Sequence, residues 1–369
     1  MLNIVKRIKV FRFELIALAF TIWGFILRIN RLANRNLWVD EVNQLEHTIG
    51  PFKPIWQRLR NGEVTAFPGD YILKWPVIHF TGIENKWLVN LLHYPITLLG
   101  FYMFYLICKK HIKSTFGFIV AFCLMTIHND LVFHSFEFRP YAILPTFTLI
   151  SFYFSDLLIN NKTISNLKRF FIYLFLMFFV IVHAFGLMII LLCLFFFLIQ
   201  RVKEKDFKQV FTKMIMKPML CFLFFAIPTF IWFATGVSLC NRAHFVAMGI
   251  KVFQYFPDPA KGVDYFLDWV IIHLLGFKKY NVTVLLYGVL IAWIIPHKQR
   301  LKQIQYMFLF FIIPIGFILI SDIQKNYWFV QRQFVWTMPL FAFFIGWCWD
   351  SIIIFLKQVN VVIEDKIKQ

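Results

Sequence analysis

The sequence predicts an all-α polytopic membrane protein with about ten transmembrane helices and with interfacial helices in two long outer loops. Three observations predict it. Of the 369 residues, 60% are hydrophobic and only 15% charged, against roughly 45–50% and ~25% in soluble domains. The apolar excess is concentrated in runs of about 20 residues, the length that crosses a ~30 Å hydrocarbon core as helix. The 38 Lys and Arg against 19 Asp and Glu, a formal charge of +19, flank those runs and form no nucleic-acid-binding pattern. A soluble globular protein is excluded, and no nucleic-acid partner is expected.

Read between charged punctuation, the apolar runs place spans near 11–29, 87–108, 114–133, 139–159, 169–183, 185–200, 216–236, 281–296, 304–321 and 334–356. The first follows a basic stretch ending at Arg12, with no small-residue cleavage site after Ile29, and reads as an uncleaved first span. The run 170–199 is interrupted by Val182-His183-Ala184-Phe185-Gly186 and reads as two short helices meeting at His183. Cys108, Cys123, Cys193, Cys221, Cys240 and Cys348 form no CxxC pair and read as small buried apolar residues. No internal repeat or linker divides the chain, so residues 1–369 form one transmembrane domain.

Of the 38 basic residues, 22 fall on the side that holds the N-terminus and the tail 357–369. By the positive-inside rule both ends are cytoplasmic. The opposite face carries two long segments, 30–86 and 237–280. Both mix aromatics with charges, as in Pro54-Ile55-Trp56-Gln57-Arg58-Leu59-Arg60 and Tyr265-Phe266-Leu267-Asp268-Trp269, a pattern suited to helices lying in the interface.

The densest polar cluster follows span one, running from Arg28 through Arg35 to Trp38-Val39-Asp40-Glu41. A carboxylate just outside the membrane can act as general base on an acceptor hydroxyl or help hold a divalent cation. The plainer alternative is an acidic pair that neutralises the nearby arginines. A second cluster, His128-Asn129-Asp130 and His134-Ser135-Phe136-Glu137-Phe138-Arg139-Pro140-Tyr141, lies at the next outer turn. Charges at a helix mouth usually have a partner or a ligand, and Glu137 with Arg139 can supply either. His183 sits in an apolar run, as a core histidine would, but at the same outer face. Arg332 lies among aromatics before the last span. It and Lys86 can anchor a helix at the interface or grip a phosphate, which a guanidinium matches bidentately. The P-loop, GxGxxG and HExxH patterns are absent.

These residues resemble those of the GT-C membrane glycosyltransferases, which use polyprenyl-phosphate-linked sugars. Leu37-Trp38-Val39-Asp40-Glu41 resembles the family's acidic motif in its first outer loop, and Ala66-Phe67-Pro68-Gly69-Asp70-Tyr71 its following Pro-and-aromatic segment. Ser135-Phe136-Glu137-Phe138-Arg139-Pro140-Tyr141-Ala142 is similar to the S-x-E-x-R-P-Y-A run of bacterial members. His183-Ala184-Phe185-Gly186 resembles their break between short helices, and residues 327–339 their last outer motif. The likeness covers about 30–340 and is nearest to bacterial relatives of protein O-mannosyltransferases and of the lipid A aminoarabinose transferase. Asn90-Leu91-Leu92-His93 departs from it, standing where an arginine is common.

The resemblance implies inverting transfer of a sugar from a polyprenyl-phosphate donor to an envelope glycan, lipid or protein on the outer, periplasmic face of the inner (plasma) membrane. Asp40 is then the base, Glu41 and Glu137 orient the acceptor or a divalent cation, and Tyr141 packs on donor or lipid. Arg139, His183 and Arg332, with Lys86, neutralise the phosphate. Two other readings of the residues stay open: a polymerase or ligase of lipid-linked oligosaccharides, and a transporter or flippase of a lipid-linked glycan.

Overall fold

The structure, a computed structural model, describes residues 11–54, 57, 68–161, 163–183, 185–202, 279–314, 316 and 331–368. Among them it is 85% helical and has no strand. Two helices are long and apolar enough to cross a membrane, Arg12–Ala33 and Phe334–Glu364, while Thr115–Ile127 and Phe185–Arg201 are apolar but shorter. The expected span 216–236, the loop 237–280 up to residue 278 and most of the stretch 54–60 lie outside the described residues.

Local chemistry sets where the remaining helices start and stop. The expected span 87–108 is instead a short helix Lys86–Val89, a turn at residues 90–92 and a helix His93–His111. Asn90 makes the break, because its carbonyl accepts from His93 N at 2.9 Å and its Oδ1 lies 2.9 Å from His93 Nδ1. The span 114–133 likewise divides into Thr115–Ile127 and Asn129–His134. His128, between them, takes the N–H of Asp130 onto its own Nδ1. Arg139 is extended, φ −137° and ψ 161°, as the residue before a proline should be. A 3-10 turn Pro140–Ala142 then leads into the helix Leu144–Asn160.

The break at His183 is present. Asn166–Val182 ends on it, His183 is extended, and Phe185–Val202 begins two residues later. Phe185 N donates to His183 Nδ1 and Gly186 N to His183 O. A Cβ on Gly186 would lie 2.5 Å from Phe179 O, so the tight junction requires glycine. The segment 357–368 expected as a tail is part of one 31-residue helix, Met338–Lys368.

The chain forms two compact units. In the unit of residues 1–34, 97–135 and 255–369, the helices Thr115–Ile127 and Met338–Lys368 approach closely at paired glycines. A Cβ on Gly117 would meet Gly346 O at 2.6 Å, and one on Gly346 would meet Ala121 Cβ at 2.5 Å. Asp350 caps the shorter helix by accepting from the N–H groups of Lys113 and Ser114. Arg28 closes the other end, donating to the carbonyls of Met125 and Thr126.

In the unit of residues 35–96 and 136–254, Leu144–Asn160 packs on Phe185–Val202 through Phe152 against Phe196 and Phe197. It packs on Asn166–Val182 through Phe147 against Phe175 and Phe179. The helix Pro68–Thr81 lies against Asn166–Val182 at Gly69, where a Cβ would be 2.8 Å from the Ile181 carbonyl. Its other side shares a core of Leu45, Ile78, Val89 and Phe138 with the helix Val39–Thr48.

Candidate functional site

Trp38 is extended and Val39–Thr48 begins after it, putting Asp40 second and Glu41 third in the helix. Glu41 Oε2 accepts from the Trp38 main-chain N–H at 3.2 Å, the reach-back of an acidic residue in a helix's first turn. The same carboxylate is fully buried and holds Arg35 through two bonds of 2.6 and 2.8 Å. Its Oε1 also accepts the N–H of Phe138 at 2.6 Å, while Arg35 donates to the carbonyl of Phe136. One ion pair thereby ties the loop at residue 35, the helix Val39–Thr48 and the segment 136–138 together. Lys86 Nζ props this loop from below, donating to Arg35 O at 3.0 Å.

One turn beyond Glu41, Gln44 donates to Asp70, which pairs with Lys74 at 2.8 Å; Asp70 and Lys74 are both fully buried. The Lys74 ammonium lies 4.7 Å from the Phe138 ring centre. Burial pushes this ammonium below its ordinary value, Asp70 opposes the shift, Arg139 reinforces it and Glu137 opposes it. An ammonium taken out of water needs such anionic partners to stay charged. Phe138 is therefore held at both ends, its N–H by Glu41 and its ring by Lys74, with His93 edge-on at 6.1 Å.

Glu137 is buried beside this network and Arg139 half-buried, its Nε without a hydrogen bond among the described residues. The Tyr141 and His183 rings meet edge-to-face at 5.6 Å, and Arg139 acts on both Lys74 and His183 electrostatically. Three acids, Glu41, Asp70 and Glu137, thus face three cations, Arg35, Lys74 and Arg139, within one unit. Such a cluster can hold a polar group out of bulk water with fixed charges of both signs around it.

Of the residues singled out in the sequence, Glu41, Lys86, Glu137, Arg139, Tyr141 and His183 belong to this unit, and so does Asp40, whose side chain lies outside the described part. Arg332 belongs to the other unit, on the 3-10 helix Gln331–Thr337, and its side chain also lies outside the described part. Arg35, Gln44, Lys74 and His93 were not among the sequence candidates. Asp70 with Lys74 had a local signal: an acid and a base four residues apart share one helix face, and Tyr71, Ile72 and Leu73 fill the interval. Arg35 has only the company of the acidic pair, which can neutralise any of the nearby arginines, and a loop has no period to single it out. Comparison of the chain with protein-family models, curated proteins and solved structures found no match.

Proposed function

We propose that the chain is an integral-membrane glycosyltransferase that moves a sugar from a polyprenyl-phosphate donor to an acceptor on the outer face, with inversion. The observation that carries this reading is convergence. Four of the five stretches that bear the resemblance to GT-C enzymes, around Glu41, Asp70, Glu137 to Tyr141, and His183, fall in one compact unit and are joined by hydrogen bonds and ring contacts, while the fifth, 327–339, belongs to the other unit.

Embedding in a membrane is supported by the helix Arg12–Ala33. Ala17, Gly24, Arg28 and Leu32 face inward, while Leu15, Leu18, Ile22, Trp23 and Ile26 are exposed. Mostly small or polar residues inside, Leu32 apart, with bulky apolar ones outside is a distribution that a lipid solvent permits and water penalises. The tails of this reading are those of the charge count, with both ends cytoplasmic at the inner (plasma) membrane.

In the proposed reaction the acceptor hydroxyl loses its proton to Asp40, and its oxygen bonds to the anomeric carbon. The bond from that carbon to the phosphate oxygen breaks on the opposite face, and the polyprenyl phosphate departs with the electron pair. Positive charge on the ring is met by carboxylates, and charge on the leaving phosphate by cations. Arg139 and His183 are assigned the phosphate, and Glu137 and Tyr141 the donor. Glu41 acts by position, since its oxygens are already engaged by Arg35 and two main-chain N–H groups.

The test follows sugar release from radiolabelled polyprenyl-phosphate monosaccharides in membranes carrying matched levels of wild type and Asp40→Asn, with cell-envelope acceptors present. The expected result is donor consumption by wild type and loss of most turnover, with donor binding retained, in Asp40→Asn. Robust consumption that Asp40→Asn leaves unchanged overturns the assignment of the first outer segment as the catalytic centre.

A further inference from the structure

Beside the Arg35–Glu41 pair the surface opens into a cleft of about 670 Å³ lined by Asn36, Leu37, Ile83, Glu84, Asn85 and Lys86. That volume lies within the ~300–1,000 Å³ typical of small-ligand sites. Its lining has two parts. Leu37 and Ile83 pack on the core of Leu45, Ile78, Val89 and Phe138 and give the cleft an apolar floor. Asn36, Glu84 and Asn85, all exposed, supply two amides and a carboxylate at the rim.

The rim is held in place. Asn85 Oδ1 accepts from Trp87 N at 2.9 Å, and Lys86 Nζ donates to Arg35 O at 3.0 Å. With Asn85 Oδ1 so occupied, its amide nitrogen is the group left to donate outward. The lining holds one lysine, Lys86, and one carboxylate, Glu84, so it offers an anion no excess of positive charge. Amides that both donate and accept, a carboxylate that takes hydroxyl protons and a small apolar floor are the complement of a sugar, which presents hydroxyls at its edge and C–H groups on its face.

We infer that this cleft binds a neutral saccharide, and that it is the acceptor subsite of the proposed transfer. The acceptor role rests on the transferase reading; the binding does not. Position favours it, because Leu37 on the floor precedes Asp40 by three residues. At ~3.3–3.6 Å per residue the two Cα atoms are at most about 11 Å apart, within the span of one or two sugar rings. The acceptor class is accordingly a glycan, which the polar rim favours over an acyl chain.

The experiment is saturation-transfer-difference NMR on the full-length chain in detergent, with no donor present. The probes are maltotriose, the β-linked trisaccharides of N-acetylglucosamine and of galactose, and inorganic phosphate. The expected result is transfer to at least one trisaccharide and none competed by phosphate. Asn36→Leu and Glu84→Leu each weaken that binding about fivefold to tenfold, the worth of one hydrogen bond. Asn85→Asp, which retains the oxygen that caps Trp87, weakens it similarly and serves as the variant least disturbed in fold. Retained thermal midpoints keep the comparison interpretable.

No transfer to any trisaccharide, equal binding in all variants, or displacement of the sugar by phosphate each overturns the subsite. A wild type that binds saccharide while its donor turnover ignores Asp40→Asn sinks Asp40 as the base, and with it the acceptor role of the cleft, and leaves the saccharide binding. A wild type whose turnover depends on Asp40 and ignores all three rim substitutions sinks the subsite and leaves the transferase.

Discussion

Glu41 takes the main-chain N–H of Phe138 at 2.6 Å, across 97 positions of sequence. A charge-assisted bond to backbone fixes a strand of chain more firmly than a side-chain contact does, since no rotamer change can redirect the donating main-chain N–H. The first outer segment and the segment 136–141 therefore form one piece of structure.

Replacing one partner of the Arg35–Glu41 pair should strand the other in a dry place. Glu41→Ala is expected to cost about 3–5 kcal/mol, and Glu41→Gln about 1.5–3 kcal/mol, because the amide keeps the shape and part of the bonding. Thermal unfolding of the detergent-solubilised chain, with Arg35→Met and the double variant, measures the coupling. Additivity of the two single effects within about 0.5 kcal/mol would show that the pair is not coupled.

The buried Asp70–Lys74 pair should behave in the same way but with a rescue. Lys74→Met leaves a buried carboxylate and is expected to lower stability by about 3–5 kcal/mol, while Lys74→Met with Asp70→Leu restores most of it. A double variant as unstable as the single one refutes this account.

Lys74 also makes a pH prediction. Burial holds its folded value below the free lysine value of about 10.4, so the unfolded chain binds this proton more tightly. Between the lowered value and ~10.4, stability contributed by this group rises with pH and is lost as pH falls. The slope of unfolding midpoint against pH in that alkaline window should be more positive in wild type than in Lys74→Met.

Gly346→Ala should separate two helices. Its new methyl would sit 2.5 Å from Ala121 Cβ and 2.6 Å from Gly117 O, and overpacking of this kind costs about 1–3 kcal/mol. Gly50→Ala, where a Cβ meets nothing within 4 Å but φ is +96°, tests backbone strain alone and separates the two causes in the same melting assay.

Chelation should leave donor turnover within about twofold of untreated enzyme. A divalent cation held by Glu41 would have to displace Arg35 and two main-chain N–H groups, to which both of its oxygens are committed. Loss of turnover in EDTA that returns with Mn²⁺ or Mg²⁺ contradicts this.

How much of this is legible in the sequence depends on range. The break at His183 is visible because Val182-His183-Ala184-Phe185-Gly186 interrupts an apolar run, and the structure fixes it with bonds that stay within three residues. The break at Asn90 is hidden, since Leu91 and Leu92 continue the apolar pattern and the turn is made by a local Asn–His pair. The acidic pair at residues 40 and 41 stands out by composition, and so does its neutralisation of the nearby arginines, which the Arg35–Glu41 pair bears out; its division of labour and the choice among those arginines do not. Arg35 is six residues away in a loop, and Phe138 contributes a backbone atom, which no side-chain pattern encodes. The burial of Lys74 is likewise a tertiary fact: on the chain it is one charge among many in an outer segment.

The helix Met338–Lys368 is 31 residues long, about 46 Å at 1.5 Å per residue, some 16 Å more than a ~30 Å hydrocarbon core requires. From Leu356 to Glu364 every residue is exposed. For an electron microscopist this is a ready-made mounting post. A helical fiducial protein fused in phase after Lys368 would inherit the orientation of the bundle through an unbroken rod, giving a 44.2 kDa chain enough rigid mass to be aligned in projection images.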